Sequence, residues 1–196
     1  MRNGRAEGDR REDRGAAILS ALPLSALRAI ELPIERQRRV VVAARIDAIA
    51  EDDEQGLWVM SVHLENRSGA RRVWLESPRA RKRQVRALLD DVLPDGPMVV
   101  GGDWNSWAAN EPALELLRDE FDSAVAVDRK PTHMTGRIDD VFARLPSGWV
   151  MTVRRLDHSY GSDHYPLLGI LEVPTEGGAH AGRAGRGISA RLSDRR

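Results

Sequence analysis

The chain has 196 residues, 41% of them apolar, with 30 Lys and Arg against 30 Asp and Glu, so its formal net charge is zero. That length supports one domain with a substantial core, and the charge balance removes any global field favouring nucleic acid or a membrane surface. There is no cysteine, which excludes disulfides and thiolate metal sites, and no apolar run is long enough to span a bilayer.

Residues 1–14 are charged and without periodicity, and are expected to be disordered. Their arginines, ahead of the apolar run Gly15 to Leu27, loosely mimic a secretory leader. Glu7, Asp9, Glu12 and Asp13 stand where that leader needs basic residues, and Pro23 interrupts the run, so the chain is read as cytoplasmic. Ala16 to Ser20 reads as a short strand. Arg39 to Ile49 and Gly56 to Leu64 are β-rich runs joined by the acidic turn Glu51 to Gln55, which predicts a hairpin. Pro78 to Leu93 reads as a helix, with Pro near its start, Val85, Leu88, Leu89 and Val92 on one face and Pro94 past its end. Met98 to Gly102 is a strand, and Glu111 to Phe121 a helix with Leu114, Leu117 and Phe121 at helical spacing. Ile138 to Arg144, Trp149 to Leu156 and Leu167 to Val173 read as further strands. Residues 174–196, rich in Gly, Ala and Arg, read as a disordered tail. Strands outnumber helices and several are adjacent in sequence, which argues for α+β or layered α/β.

Chemistry gathers at the expected strand ends. Met98-Val-Val-Gly-Gly-Asp103-Trp-Asn105 is an apolar strand that ends on a carboxylate and a carboxamide two residues apart. On an extended segment such residues point to the same side. Three more polar clusters stand in comparable places: Val62-His63-Leu64, Ile138-Asp139-Asp140-Val141 and Ser162-Asp163-His164-Tyr165-Pro166. Asp139 and Asp140 are adjacent in a strand and therefore face opposite ways.

Together, and in this order, the four clusters resemble the endonuclease/exonuclease/phosphatase family of metal-dependent phosphoesterases, which includes deoxyribonuclease-like nucleases. The resemblance covers residues 15–173. It implies a four-layer α-β-β-α sandwich and a divalent-metal-dependent hydrolase of phosphate esters, a phosphodiesterase or nuclease first among these. It also implies a role for each matched residue. His164 is the general base that activates water, and Asp139 orients it. Asp103 positions the nucleophile or serves the metal, and Asn105 holds a phosphoryl oxygen or the attacking water. Asp163 is a metal ligand, as is Asp103, and His63 donates to a non-bridging phosphate oxygen or acts near the leaving group. The cofactor implied is Mg²⁺ or Mn²⁺, which suits oxygen donors. The partner implied is a phosphodiester, with nucleic acids and phospholipid headgroups as candidate sources. The ID-x pattern selects Asp139 over Asp140.

Family members begin with a strand bearing an Asn and a second bearing a metal-ligating Glu. Neither is recognisable ahead of Gly15, so the fold is expected to be truncated at its N-terminus. The alternatives are therefore a non-catalytic or degenerate phosphate-binding module, or an inactive fragment of a longer enzyme. His133 and His158 match no motif position and read as loop histidines. Trp104 and Trp107 read as core or rim packing. Arg71, Arg72, Arg79, Arg81, Lys82, Arg83 and Arg86 form a basic cluster that could track a phosphate backbone or simply be solvated. The family commonly carries an Arg and a Gln on this helix, matched by Arg81 and Gln84. The Ala- and Arg-rich composition suggests a bacterial source.

Overall fold

The computed structural model describes residues 15–47, 49, 56–66, 73–91, 93–121, 125–134 and 136–174. The segments expected to be disordered, 1–14 and all but Pro174 of 174–196, lie outside these residues, as do the turn Glu51 to Gln55 and Arg71 and Arg72. The elements in order are β1 (Leu24–Glu31), β2 (Val40–Ile46), β3 (Leu57–His63), α1 (Val73–Asp91), β4 (Met98–Asp103), α2 (Pro112–Glu120), β5 (Val125–Val127), β6 (Asp139–Arg144), β7 (Val150–Arg155) and β8 (Leu167–Glu172). Among the described residues no helix is long and apolar enough to cross a membrane.

The strands form a five-stranded sheet in the order β1-β2-β3-β4-β6 and a three-stranded sheet in the order β5-β7-β8. The expected hairpin is the antiparallel β2–β3 pair, whereas β3 and β4 run parallel. That parallel pairing follows from α1, the crossover that returns the chain to the same edge. Alternation along β4 divides the core. Met98 and Val100 point into a cluster with Val41, Met60 and Val62 of the sheet, Val85 and Leu88 of α1, and Leu114 and Leu117 of α2. Val99 points the other way, toward Val141 and Ala143 of β6 and Met151 and Val153 of β7. The result is the expected layered α+β arrangement, helices on sheet on sheet. Among the described residues no helix occupies the layer beyond the second sheet.

Three expectations fail locally. Ala16 to Ser20 is not a strand; the chain enters the sheet at Leu24. β1 is a mostly exposed edge strand with a register break between Ser25 and Arg28, so it carries no apolar alternation to read. β5, with only three residues, was not anticipated for lack of length. α1 begins at Val73, which puts Pro78 inside it instead of near its start. Proline there removes the bond to the Trp74 carbonyl. The helix persists because Ala80, Arg81, Gln84, Val85 and Leu88 are all buried along one side.

Candidate active site

Register brings the site together. β3 and β4 pair in parallel with His63 opposite Asp103, and β4 and β6 pair antiparallel with Asp103 opposite Asp139. Three adjacent strand ends thus place His63, Asp103 and Asp139 in one row. His63 Nε2 lies 3.4 Å from Asp103 Oδ2. Close strand approach requires Gly102, whose φ is +157° and where a Cβ would lie 1.9 Å from the Val62 carbonyl oxygen. No other residue fits that position.

Beyond Asp103 the chain leaves the sheet. Trp104 is buried, donates its Nε1–H to the Asp140 carbonyl and meets Phe142 edge-on, so it is a core residue. Trp107 is partly exposed at the rim. Asn105 adopts a left-handed conformation, φ +52°. Its backbone N–H donates to Asp103 Oδ1 at 2.9 Å, and its side-chain amide donates to the Leu64 carbonyl at 3.0 Å. Asn105 therefore ties the β3 end to the β4 end and fixes the Asp103 carboxylate, with one of its amide hydrogens committed to that task. The same-side projection expected of an extended Asp-x-Asn segment is replaced by a turn that folds Asn105 back under Asp103.

His164 reaches this row from the loop between β7 and β8. Its Nδ1 lies 2.8 Å from Asp139 Oδ2. A carboxylate on Nδ1 selects the tautomer with that nitrogen protonated and leaves Nε2 as the acceptor. Buried Thr132 sets both partners: its hydroxyl accepts from the Ile138 and Asp139 backbone N–H groups, and its carbonyl accepts from Tyr165 N at 2.7 Å. Asp140, facing away, pairs with Arg137. His133 forms a β-bridge with His164, their ring centroids 4.9 Å apart. It belongs to the site although no motif marks it; His158 does not.

A cation completes the row. Arg39, one residue before β2, is buried, and its Nε has no hydrogen-bond partner among the described residues. Burial lowers its pKa against the raising charges of Glu65 and Asp103. Burial, then the positive charges of Arg39 and His164, pushes the His63 imidazole down to about 4. Burial likewise raises the Asp103 carboxyl to about 6, opposed by the Asn105 N–H and reinforced by the Asp139 charge. For His164, burial works against protonation, but the hydrogen bond and charge of Asp139, then Asp103 and Asp163, outweigh it and raise the pKa.

The α1 pair singled out in the sequence supports this site from below. Gln84 accepts from Glu65 N and donates to the Pro33 carbonyl. Arg81 pairs with buried Glu111 and donates to the carbonyls of Glu65 and Asn66. Glu65 in turn accepts from the Arg36 and Gln37 N–H groups, anchoring the segment that leads into Arg39. Arg81 is thus structural and does not reach a substrate, and Arg83 is paired with Glu35.

Two groups of donor atoms lie within 4.8 Å of one another: Asp103, Asp139 and His164; and His133, Asp163 and His164. The first fits a hard divalent cation on its chemistry. Two carboxylates oppose each other in register, and burial with the Asp139 charge makes the Asp103 carboxylate costly, which a cation would relieve. The second, with two imidazoles to one carboxylate, suits Mn²⁺ better than Mg²⁺. Asp163 is exposed and falls in the second group, apart from Asp103. Arg39 and His133 escaped the sequence reading because an arginine before a strand and a histidine in a loop are individually commonplace. The one usable signal was that each precedes a strand whose end or neighbour carries a motif residue.

The sequence model of the Endonuclease/Exonuclease/phosphatase family matches residues 3–179, and the chain belongs to that family. No curated protein matches the sequence significantly. Among solved structures, a functionally unknown conserved protein from Enterococcus faecalis V583 aligns with a TM-score of 0.58 at 17% identity, over 76% of this chain and 67% of that one. An endonuclease/exonuclease/phosphatase from Beutenbergia cavernae DSM 12333 gives 0.56 at 22% identity, over 78% and 46%. Sphingomyelinase C from Streptomyces griseocarneus gives 0.52 at 18%, over 76% and 65%. These likenesses establish a shared fold. This chain spans between 46% and 67% of the length of those three proteins.

Proposed function

We propose that this chain hydrolyses phosphate esters with the aid of a divalent cation, and that its substrate is a phosphodiester. The observation that carries this reading is the Asp139–His164 pair set against Asp103, His63 and Arg39 at one end of the sheet. An imidazole held by a carboxylate beside acidic and cationic groups is what activation of water next to a phosphoryl group requires.

His164 Nε2 accepts the proton of a water as its oxygen bonds to phosphorus, and Asp139 stabilises the imidazolium that results. The bond from phosphorus to the leaving oxygen breaks, and that oxygen takes up a proton. Arg39 donates to a non-bridging oxygen, the role its buried, unpartnered Nε and neighbouring charges favour. His63, neutral around pH 7, can only donate through a single ring N–H, and does so to Asp103 or to the phosphate. Asn105 positions Asp103. Asp103 with Asp139 in the first group, or Asp163 with His133 in the second, would hold Mg²⁺ or Mn²⁺, which when bound would offset charge on the phosphoryl and leaving oxygens. The similarity in fold to a sphingomyelinase, within a family that also names endonucleases, fits a diester substrate without choosing its source.

The test is hydrolysis of bis(p-nitrophenyl) phosphate with Mg²⁺ or Mn²⁺, with and without chelator, by the wild type and by Asp103→Asn. Turnover that requires the metal and falls at least a hundredfold in the variant supports the proposal. A folded chain with no metal-dependent turnover overturns it in favour of a phosphate-binding module.

A further inference from the structure

The residues flanking His164 in its loop line an open cavity of about 430 Å³, together with His133, Met134 and Arg155; Ser159, Asp163 and Tyr165 are the loop's contribution. It adjoins the reacting centre, since His133 and Asp163 both bring ligand atoms within 4.8 Å of His164. The mechanism above uses none of its remaining groups. The most distinctive is Arg155, the last residue of β7. Its guanidinium lies over the Tyr165 ring, 4.1 Å from the centroid. Stacking fixes the plane of the fork and leaves its edge donors free. Its Nε is buried without a hydrogen-bond partner among the described residues, and its ion pair with the largely exposed Asp157, at 3.8 Å, is too long for a hydrogen bond. A half-buried, braced cation whose one ion pair among the described residues is long and solvent-exposed, lining a cavity beside the proposed phosphoryl-transfer centre, is arranged for a second anion. Asp163, the cavity's acid, clusters with His133 and His164. Tyr165, Pro131 and the exposed Met134 add apolar surface to the lining.

We propose that this cavity is a subsite in which Arg155, braced on Tyr165, binds a second phosphate of the substrate. The inference rests on the phosphodiesterase reading and narrows it. Preferred substrates carry another phosphate next to the scissile diester, as each internal linkage of a nucleic acid strand does. A diester without a second phosphate fills the reacting centre and leaves Arg155 unused.

The experiment compares kcat/KM for the dinucleotide TpT with that for pTpT and TpTp, which add a phosphate at one end or the other. The wild type should favour one of the phosphorylated forms about tenfold, as a charge-assisted contact implies. Arg155→Gln should erase that preference while leaving TpT unchanged, and Arg155→Lys should keep part of it. Ser159→Asp, which adds a negative charge to the cavity without touching the stacked pair, should erase it too. Equal rates on all three substrates, or an Arg155→Gln variant slowed equally on all three, would overturn the subsite. Binding of the same three ligands to His164→Ala separates the two readings. If nothing is hydrolysed but the phosphorylated ligand binds tighter through Arg155, the subsite stands and the enzyme reading falls. If binding shows no preference, the subsite falls.

Discussion

The two sheets contribute differently to one site. The five-stranded sheet packs both helices, and its core holds Val62, Leu64, Val85, Leu88, Met98, Val100 and Leu117, nearly or wholly inaccessible. The three-stranded sheet has a thin core, its buried members being Ala143, Met151 and Val153, and Ile170 on β8 is partly exposed. The strand ends of the first supply His63, Asp103 and Asp139, whose spacing is fixed by register. The loop between β7 and β8 supplies Asp163, His164 and Tyr165, whose position depends on a few hydrogen bonds through Thr132 and Ser162. On the proposed mechanism, the charge-bearing half of the chemistry is built on the better-packed layer and the proton-accepting half on the other. Sites are positioned best by regular elements, but a base that must meet water tolerates a loop when a carboxylate on the rigid side aims it.

The largest effect should come from the link between the halves. Asp139→Asn keeps the shape but no longer holds the productive tautomer, and should lower kcat about 10²- to 10⁴-fold with the melting temperature little changed. A tenfold loss or less would mean that the loop positions His164 unaided. Next, Gly102→Ala drives a Cβ into the Val62 carbonyl and should cost several kcal/mol in urea unfolding, and Leu88→Ala about 2–5 kcal/mol. Unchanged stability in Gly102→Ala would break the claim that register at these strand ends is rigid.

A smaller and opposite effect is expected at Asp103. Its carboxyl titrates near 6 in the folded chain and at 3.8 in the reference state. Between those values the folded state binds more protons, so this group's contribution to stability declines as pH rises from about 4 through 6 and stays low above. In chelator, Asp103→Asn should therefore stabilise the chain by about 1–3 kcal/mol at pH 7.5, with the gain vanishing near pH 3.5. The asparagine still accepts from Asn105 N. Destabilisation at pH 7.5 would show that Arg39 and His63 more than compensate the buried charge. The smallest signal is in amide exchange: β3 and β4 should exchange only through global unfolding, and β8 through a local opening of lower free energy. Equal protection in β4 and β8 would erase the distinction between the sheets.

Much of this was legible in the chain. The apolar runs of β2, β3, β4, β6, β7 and β8 stand within a few residues of their positions, and His63, Asp103, Asp139 and His164 meet as the motif order implied. What escaped has physical causes. β1 is exposed on an edge and β5 is one turn's length of chain, so neither carries a period. Pro78 reads as a helix start by its own chemistry, and only the burial along α1 overrides it. Arg39 and His133 matter through long-range contacts that no local pattern encodes, and Asn105 uses a backbone turn that an i, i+2 argument for extended chain cannot anticipate.

The most direct measurement of the central claim is chemical rescue of His164→Ala. In the presence of Mn²⁺, the account predicts phosphodiester hydrolysis reduced at least a hundredfold and partly restored by added imidazole, with the restored rate following the fraction of neutral imidazole as pH rises. A His164→Ala chain that retains wild-type turnover, or one that is inactive while folded and indifferent to imidazole, would contradict the assignment of His164 as the proton acceptor.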